Sequence, residues 1–316
     1  MSNAHSVHVV FGAGPLGLAV VRALVQRGRR VRLINRSGQA PAPAGVEVMA
    51  ADATVAEVTR GLCQGATAVF QCAQPPYHQW PELFPRLQAG ILAGAAASGA
   101  KLIAGENLYM YGDAGRPLTE DLPHRASTRK GRTRAQMAET LLAAHHAGTV
   151  RVSIGRASDF FGPGVLDSVM GDRVFPAALQ GRKASAFGNL DLPHTYTFID
   201  DFGEALVRLS EREEALGQVW HVPNAETVTT RAFIDMVFAE AGHPSRMSGM
   251  GKTMLRLGGL FIPPAREMVE MMYEFEKPFV VDHGKYAKLF GNHATPLRAA
   301  IRQTLAWYRD HLHIKN

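Results

Sequence analysis

The stretch FGAGPLG, residues 11–17, follows the apolar run VHVVF (7–11) and opens a helical pattern. A first glycine permits a tight turn, a second lets backbone approach a pyrophosphate, and a third lets helix and strand pack closely. The N-terminus of the next helix offers free N–H groups and the positive end of its dipole to phosphates. This strand–turn–helix context favours a dinucleotide site at Gly12, Gly14, Leu16 and Gly17 over an ordinary glycine turn.

Apolar runs continue through the first half of the chain, with helical patterns between most of them. The predicted strands are VHVVF (7–11), VRLIN (31–35), VEVMA (46–50), TAVFQC (67–72), KLIAG (101–105) and VRVSI (150–154). Strands without polar alternation, separated by helices, are typical of a parallel sheet covered on both faces. We predict an α/β fold, a Rossmann-type doubly wound parallel sheet with right-handed crossovers.

The alternation weakens after FFGPG (160–164), where Gly, Pro and Met become frequent without a clear strand order. We predict a dinucleotide-binding domain over residues 1–164, to which residues 196–223 return. Residues 165–195 and 224–316 are predicted to form a smaller, discontinuous substrate-side region, whose C-terminal helix packs back on the core.

Composition limits the partners of the chain. Its 316 residues are 46% hydrophobic and 20% charged, as in an ordinary globular protein, and no apolar run suits a bilayer span. The net charge of +6 favours an anionic partner, either a phosphorylated cofactor, an acidic metabolite or a nucleic acid. The basic residues are spread along the chain without a recognition motif, so we expect no nucleic-acid function.

Cysteine usage and the N-terminus predict the compartment. Cys63 and Cys72 give neither a disulfide framework nor metal-ligand spacing, and no other cluster of residues has such spacing. The first residues, MSNAHSVHVVFG, lack a basic region followed by a long apolar core, so we expect no signal peptide. We predict a cytoplasmic protein without a bound metal.

The end of the second predicted strand bears on cofactor choice. NAD enzymes usually carry Asp or Glu there to hold the ribose 2′-hydroxyl, whereas this chain has Asn35, Arg36 and Ser37. Arg36 with Ser37 suits a 2′-phosphate, although a solvated arginine at a strand end is the alternative. We predict that NADP(H) is preferred over NAD(H).

Several motifs, in order along the chain, resemble the extended short-chain dehydrogenase/reductase superfamily and its epimerase–dehydratase branch. They are the glycine loop, Asp52, QCAQ (71–74), ENLYMYG (106–112), LTED (118–121), GRASDFFGPG (155–164), FIDDFGEAL (198–206) and WYRDH (307–311). The resemblance implies that Asp52 and Ala53 lie near the adenine and that Cys72, Ala73 and Gln74 pass the cofactor ribose. It also implies cofactor contacts at Arg134 and Ala157.

The proton relay of that superfamily is altered in this chain. The family uses Ser or Thr, then Tyr-x-x-x-Lys on one helix, where the ammonium lowers the phenol pKa. Asn107 falls on the Ser/Thr position, Lys130 or Gly131 on the tyrosine, and Arg134 or Ala135 on the lysine. These departures resemble the atypical branch, which includes NADP-binding proteins without catalysis.

Three residues near these positions are candidates for catalysis: Tyr109, Lys130 and Asn107. Tyr109 falls where dehydratases of the superfamily place an acid, but it could equally be a core aromatic. The basic stretch RKGRTR (129–134) is predicted to begin a helix partly turned towards the cofactor.

Asp159 and His194 are candidates for substrate binding. Asp159 stands where the family often has Asn, and it could instead cap a turn. His194 stands where the family often has an arginine for a diphosphate. The segment FIPPAREMVEMMYEFEKPF (261–279) is interpreted either as core or as a soft substrate lid.

The sequence therefore predicts an NADP(H)-dependent oxidoreductase acting on a small carbonyl or alcohol, with a homodimer as the expected assembly. The alternatives are a non-catalytic NADP(H)-binding sensor and a sugar-nucleotide epimerase or dehydratase.

Overall fold

The structure is a computed structural model that describes residues 6–258 and 267–311. The chain divides into two compact units. The first unit runs to Met110 and adds Arg129–Ala157 and Phe202–Val222; the second holds Tyr111–Thr128, Ser158–Asp201 and the chain from Pro223.

The first unit is built on one parallel sheet of seven strands, in the order β11-β6-β5-β4-β1-β2-β3. The strands are β1 (Val7–Phe11), β2 (Arg30–Asn35), β3 (Glu47–Ala50), β4 (Ala66–Gln71), β5 (Lys101–Glu106), β6 (Val152–Arg156) and β11 (Gln218–His221). All neighbouring pairs are parallel. The strand order reverses between β1 and β4, which is where doubly wound sheets bind ligands. The predicted fold class is confirmed, and each predicted strand matches an observed one to within two residues.

Helices connect these strands: α1 (Pro15–Gln26), α2 (Ala56–Leu62), α3 (Trp80–Ser98), α4 (Arg129–His146) and α6 (Ile199–Glu211). Buried Val, Ile, Leu and Ala of the strands and of α3 and α4 form the core of this unit, among them Val9, Val69, Ile91 and Leu141. The apolar strands seen in the sequence are therefore buried on both faces.

The second unit contains short paired strands and a set of mostly short helices. β7 (Asp159–Phe161) pairs with β10 (Tyr196–Phe198), β9 (Pro193–His194) with β12 (Val228–Thr229), and β8 (Ala184–Phe187) with β13 (Met247–Met250). Among the described residues its helices include α5 (Phe175–Leu179), α7 (Thr230–Ala241), α8 (Lys252–Gly258), α9 (Tyr273–Glu276), α10 (Gly284–Phe290) and α11 (Leu297–His311).

The core of the second unit is aromatic. The ring of Phe161 lies 4.9 Å from that of Phe233, and Phe175 stacks on Tyr308 at 5.5 Å. The hydroxyl of Tyr308 donates a hydrogen bond of 2.7 Å to the carbonyl of Val165, which fixes the C-terminal helix α11 on this core. Met271 and Met272 are fully buried here, whereas residues 261–266 of the proposed lid segment lie outside the described residues.

The unit boundaries differ from the ranges predicted from sequence. Residues 158–164 and 196–201 belong to the second unit, because β7 and β10 pair with each other in parallel instead of joining the large sheet. The return to the large sheet is made by β11, which pairs with β6. Across the described residues, no helix has both the length and the apolar character needed to cross a membrane.

Candidate functional site

The glycine turn between β1 and α1 is enforced by close packing. Gly12 has φ of +108°, and a Cβ there would lie 2.5 Å from the backbone nitrogen of Ala73. A Cβ at Gly17 would lie 1.8 Å from the carbonyl oxygen of Gly12. Since non-bonded atoms do not approach so closely, neither position can take a side chain without moving the turn.

Gly14 behaves differently, because a Cβ there would meet no described atom within 4 Å. Its backbone is extended, and it directly precedes Pro15, the first residue of α1. The packing of the protein itself therefore does not require glycine at this position. An exposed helix N-terminus without a side chain in front of it fits a pyrophosphate held by backbone N–H groups.

The loop after β4 forms one wall of the glycine turn. The N–H of Cys72 donates a hydrogen bond of 2.9 Å to the carbonyl of Phe11, and Ala73 lies directly against Gly12. Gln74 is exposed. The side chain of Leu16 lies against Gly105 at the end of β5, where a Cβ would be only 2.6 Å from Leu16 Cδ2.

The residues that follow β2 have different structural roles, which the sequence did not reveal. Asn35 shapes the following turn: its Oδ1 accepts the Gly38 N–H at 2.7 Å, and its Nδ2 donates to the Gln39 carbonyl at 2.7 Å. The Ser37 hydroxyl lies 3.3 Å from Asn35 Oδ1. Arg36, in contrast, is exposed at the tip of this turn, which leaves its guanidinium available to a ligand.

Asp52, at the end of β3, caps the turn before α2. Its Oδ1 accepts hydrogen bonds from the Thr54 N–H at 2.9 Å and the Thr54 hydroxyl at 2.8 Å. These bonds, with a weaker contribution from Arg36, hold the pKa of the Asp52 carboxyl below its usual value. The next residue, Ala53, is buried.

Two of the candidate catalytic residues meet at a third side chain, Tyr77. The hydroxyl groups of Tyr77 and Tyr109 lie 3.4 Å apart. The ammonium of Lys130, which is only 1% exposed, lies 4.4 Å from the centre of the Tyr77 ring. An ammonium over an aromatic face is attracted by the ring quadrupole. Tyr77 was missed from the sequence.

Asn107 has a local structural contact: its Oδ1 accepts the backbone N–H of Tyr109 at 3.3 Å. This bond shapes the turn that presents Tyr109. The Tyr109 ring is half-buried beside Trp80, at 6.1 Å between ring centres.

Three buried charged side chains in the same unit form an ionic group. The carboxylate of Glu106 contacts Arg156 Nε at 3.1 Å and Arg134 Nη2 at 3.6 Å, and all three side chains are 2% exposed or less. Arg134 also lies over the Phe84 ring at 4.6 Å. Burial lowers the pKa of Arg134, and Glu106 opposes that change. Arg134 thus ties α4 to β5, a role in addition to the predicted cofactor contact.

The backbone around this ionic group continues the sheet. The N–H of Ala157 donates to the Glu106 carbonyl at 2.9 Å, and Ala157 itself is buried. Ala157 therefore extends the β5–β6 pairing by one residue at the carboxyl ends of these strands.

The basic stretch 129–134 does not present one continuous charged face. Helix α4 begins at Arg129, three residues before the helical pattern RTRAQMAETLLAAHHAG. Arg129 and Arg132 are exposed, whereas Lys130 and Arg134 are buried. Since a helix advances about 100° per residue, positions 130 and 134 share one face of α4.

The second unit brings together the two predicted substrate-binding residues. His194 Nε2 donates a hydrogen bond of 2.9 Å to Asp159 Oδ2. The His194 ring is stacked between aromatic rings, with Tyr196 at 4.6 Å, Phe275 at 5.4 Å and Phe279 at 5.1 Å. The imidazole therefore has one fixed orientation, and its partner Asp159 is the more exposed of the two side chains.

A further acidic residue, Glu274, lies beside Asp159 and was not identified from the sequence. Its side chain is buried on α9, with the Tyr273 hydroxyl 3.4 Å from Oε1. Burial, and then the neighbouring Asp159 carboxylate, raise the pKa of Glu274 well above its usual value. Folding therefore favours the protonated form of Glu274. Within the described ranges, this cluster included, no group of three His, Cys, Asp or Glu residues is arranged to hold a metal ion.

With this geometry established, the sequence model of the NAD dependent epimerase/dehydratase family matches residues 8–222, well over half of the chain. The chain belongs to this family. The predicted resemblance is thereby confirmed, and the epimerase/dehydratase family is named for its dependence on NAD. A comparison with curated protein sequences gave no significant match.

Solved structures support the epimerase/dehydratase fold over nearly the whole chain. The gox2253 crystal structure is 20% identical, with a TM-score of 0.80, over 98% of this chain and 99% of that one. Epimerase Mth375 from Methanothermobacter thermautotrophicus is 16% identical, with a TM-score of 0.80, over 97% and 93%. UDP-glucuronic acid 4-epimerase from Bacillus cereus, in complex with UDP-glucuronic acid and NAD, is 17% identical, with a TM-score of 0.79, over 96% and 99%.

Four residues of the site were not identified from the sequence: Tyr77, Glu106, Arg156 and Glu274. Each lies in or next to a segment whose sequence pattern indicates a helix, strand or turn, and does not by itself indicate a site. Charged residues at the ends of buried strands, such as Glu106 and Arg156, were the available signal. Tyr77 and Glu274 are distant in sequence from their partners, so only the fold could identify them.

Proposed function

We propose that the protein is an NAD(P)-dependent oxidoreductase that prefers NADP(H) and acts on a carbonyl or alcohol carbon of a small molecule. The observation that carries this proposal is the glycine turn. Gly12 and Gly17 are required by the fold, whereas Gly14 is not, so its lack of a side chain is best explained by a ligand.

The residues around that turn suit a dinucleotide. The N-terminus of α1 and Gly14 would hold the pyrophosphate, and Ala73 would lie beside the ribose. Exposed Arg36 would hold a 2′-phosphate, while Asn35 and Ser37 shape the turn that carries it. When bound, the nicotinamide supplies or accepts a hydride.

The proton that accompanies hydride exchange is assigned to Tyr109. Its hydroxyl lies 3.4 Å from that of Tyr77, and Lys130 is placed over the Tyr77 ring. A cation in this position stabilises negative charge on a phenol pair, which favours release of a proton from it. Asn107 positions Tyr109 through the turn. Asp159 and His194 are assigned to substrate binding.

A second candidate is epimerisation or dehydration of a sugar nucleotide. It is favoured by the family name and by neighbours such as the UDP-glucuronic acid 4-epimerase. Both functions use the same cofactor site and differ in whether the hydride returns to the substrate within one turnover.

Two further properties are part of the proposal. Cys63 and Cys72 are unpaired thiols, and burial raises the pKa of Cys63 to about 12, which fits a structural thiol in a reducing cytoplasm. We also propose a homodimer, and this proposal rests only on the class of enzyme predicted from the sequence.

The test is consumption of NADPH, followed at 340 nm by absorbance with a panel of aldehydes and ketones. Turnover with any of them supports the oxidoreductase. Conversion of UDP-glucose or UDP-glucuronic acid without net NAD(P)H change supports the second candidate. Tight NADPH binding with neither reaction would leave the sensor alternative and overturn both enzymatic proposals.

A further inference from the structure

Asp159, His194 and Glu274 form a cluster with an unusual distribution of charge. His194 Nε2 lies 2.9 Å from Asp159 Oδ2, and three aromatic rings hold the imidazole in place. A carboxylate can only accept this hydrogen bond, so His194 is the donor. The exposed fractions of the side chains are 3% for His194 and 16% for Asp159, so Asp159 is the member that a ligand can reach.

Glu274, on α9, interacts electrostatically with Asp159 and is only 2% exposed. Burial, and then Asp159, raise the pKa of Glu274 well above its usual value, so the folded protein disfavours two negative charges on this pair. The other titratable groups near the pair are Tyr273, whose hydroxyl lies 3.4 Å from Glu274, and Tyr196. Burial, together with Asp159, also raises the pKa of Tyr196, so that phenol stays neutral.

The ion-pair partner of Asp159 is His194, which carries a positive charge only when it is protonated. Within residues 6–258 and 267–311, neither Asp159 nor Glu274 forms an ion pair with a lysine or arginine. The nearby charged residues of α9 and its end are paired elsewhere: Glu276 lies 3.8 Å from Lys252, and Lys277 is bonded to Asp113. A phosphate or carboxylate brought to Asp159 would therefore meet a like charge in a poorly solvated place.

We propose that Asp159 is a specificity-determining residue that accepts a hydrogen bond from an uncharged hydroxyl of the substrate, with His194 and Glu274 as its positioning residues. This inference rests on the proposed function and narrows its substrate class to polar, uncharged carbonyl or alcohol compounds. It disfavours substrates that would place a phosphate at this position.

The cluster is tested first without any substrate, by carbon-13 NMR of the carboxyl groups. The Glu274 signal, identified by its loss in Glu274→Gln, should titrate well above the range of a free glutamate. In Asp159→Asn its midpoint should fall, because a neighbouring charge is gone. Glu276→Gln, on the same helix, is the matched control and should not move it. An unchanged midpoint in Asp159→Asn would disprove the coupling.

A second measurement uses the unaltered protein with inorganic phosphate as the probe. At constant ionic strength, phosphate should leave the Asp159 carboxyl signal unshifted. A saturable shift of the Asp159 signal with a Kd below about 10 mM, roughly 2.7 kcal/mol, would identify an anion site at this residue and overturn the proposal.

The third measurement follows NADPH oxidation with glyceraldehyde and with glyceraldehyde 3-phosphate. The kcat/KM should favour the unphosphorylated compound about tenfold or more, Asp159→Asn should abolish this preference, and Glu274→Gln should retain it. Equal preference in the unaltered protein would overturn the selectivity. If neither aldehyde nor any other carbonyl is reduced, the proposed function fails, and the two earlier measurements still decide the charge distribution.

Discussion

The hydroxyl groups of Tyr77 and Tyr109 lie 3.4 Å apart, and Tyr77 also lies beneath the buried ammonium of Lys130. Tyr77 begins a short helical turn before α3, and Tyr109 follows β5, so two separate connections supply the pair. A phenol that releases or accepts a proton is stabilised here by its neighbour and by a fixed cation. We propose that this pair handles the proton, since the sequence places Lys130 at the helix position where the family has its tyrosine.

The first prediction concerns this pair. Tyr109→Phe should lower kcat about 100-fold, because the proton donor is lost, while NADPH affinity changes little. Tyr77→Phe removes one hydrogen bond of roughly 1 kcal/mol and should lower kcat about fivefold. Steady-state kinetics with fluorescence titration of NADPH measures both. Tyr111→Phe, two residues along, is the control; a loss equal to that of Tyr109→Phe would indicate disturbed folding instead.

The second prediction concerns recognition of the cofactor's 2′-phosphate by Arg36, at the end of β2. NADPH should bind about tenfold more tightly than NADH, a difference of roughly 1.4 kcal/mol, and Arg36→Ala should remove most of it. Arg60→Ala, which removes another exposed arginine from α2, should leave the ratio unchanged. Equal affinities for the two cofactors in the unaltered protein would contradict the assignment of Arg36.

The third prediction separates the roles of the glycines. Gly17→Ala should strongly destabilise the protein, since its Cβ would lie 1.8 Å from the Gly12 carbonyl. Gly14→Ala meets no such clash, so thermal unfolding should shift by a few degrees at most. The cofactor Kd should nevertheless rise about tenfold or more in Gly14→Ala, measured by calorimetry. Unchanged cofactor affinity in this variant would place the pyrophosphate elsewhere.

The fourth prediction concerns stability and pH. The pKa of Glu274 is raised in the folded protein, so folding favours its protonated form. Its contribution to the free energy of unfolding is fully present below the ordinary glutamate pKa of 4.5 and is lost as the pH rises towards the raised value. As the pH rises above about 5, Glu274→Gln should therefore lose less thermal stability than the unaltered protein. Parallel Tm profiles for both proteins would contradict this, and Glu276→Gln serves as the control.

The sequence by itself determined the Rossmann sheet and the glycine turn. The strands of such a sheet are buried on both faces and are read as apolar runs, and the glycines are required by contacts within a few residues or with the next strand. Gly12, Gly17 and the six strands were therefore predictable. The place of residues 196–201 in the second unit was not predictable, because β10 is short. Its pairing with β7 depends on which strand edge lies beside it in the fold.

The tertiary structure decided which polar residues meet. Asn35 was expected at the cofactor, but only the fold shows that its side chain shapes the turn carrying Arg36. The pairs Tyr77–Tyr109 and Asp159–Glu274 join residues far apart in the chain, and their ionisation depends on burial and on each other. Local sequence fixes secondary structure through periodicity, whereas desolvation and charge coupling arise only once distant segments are packed together.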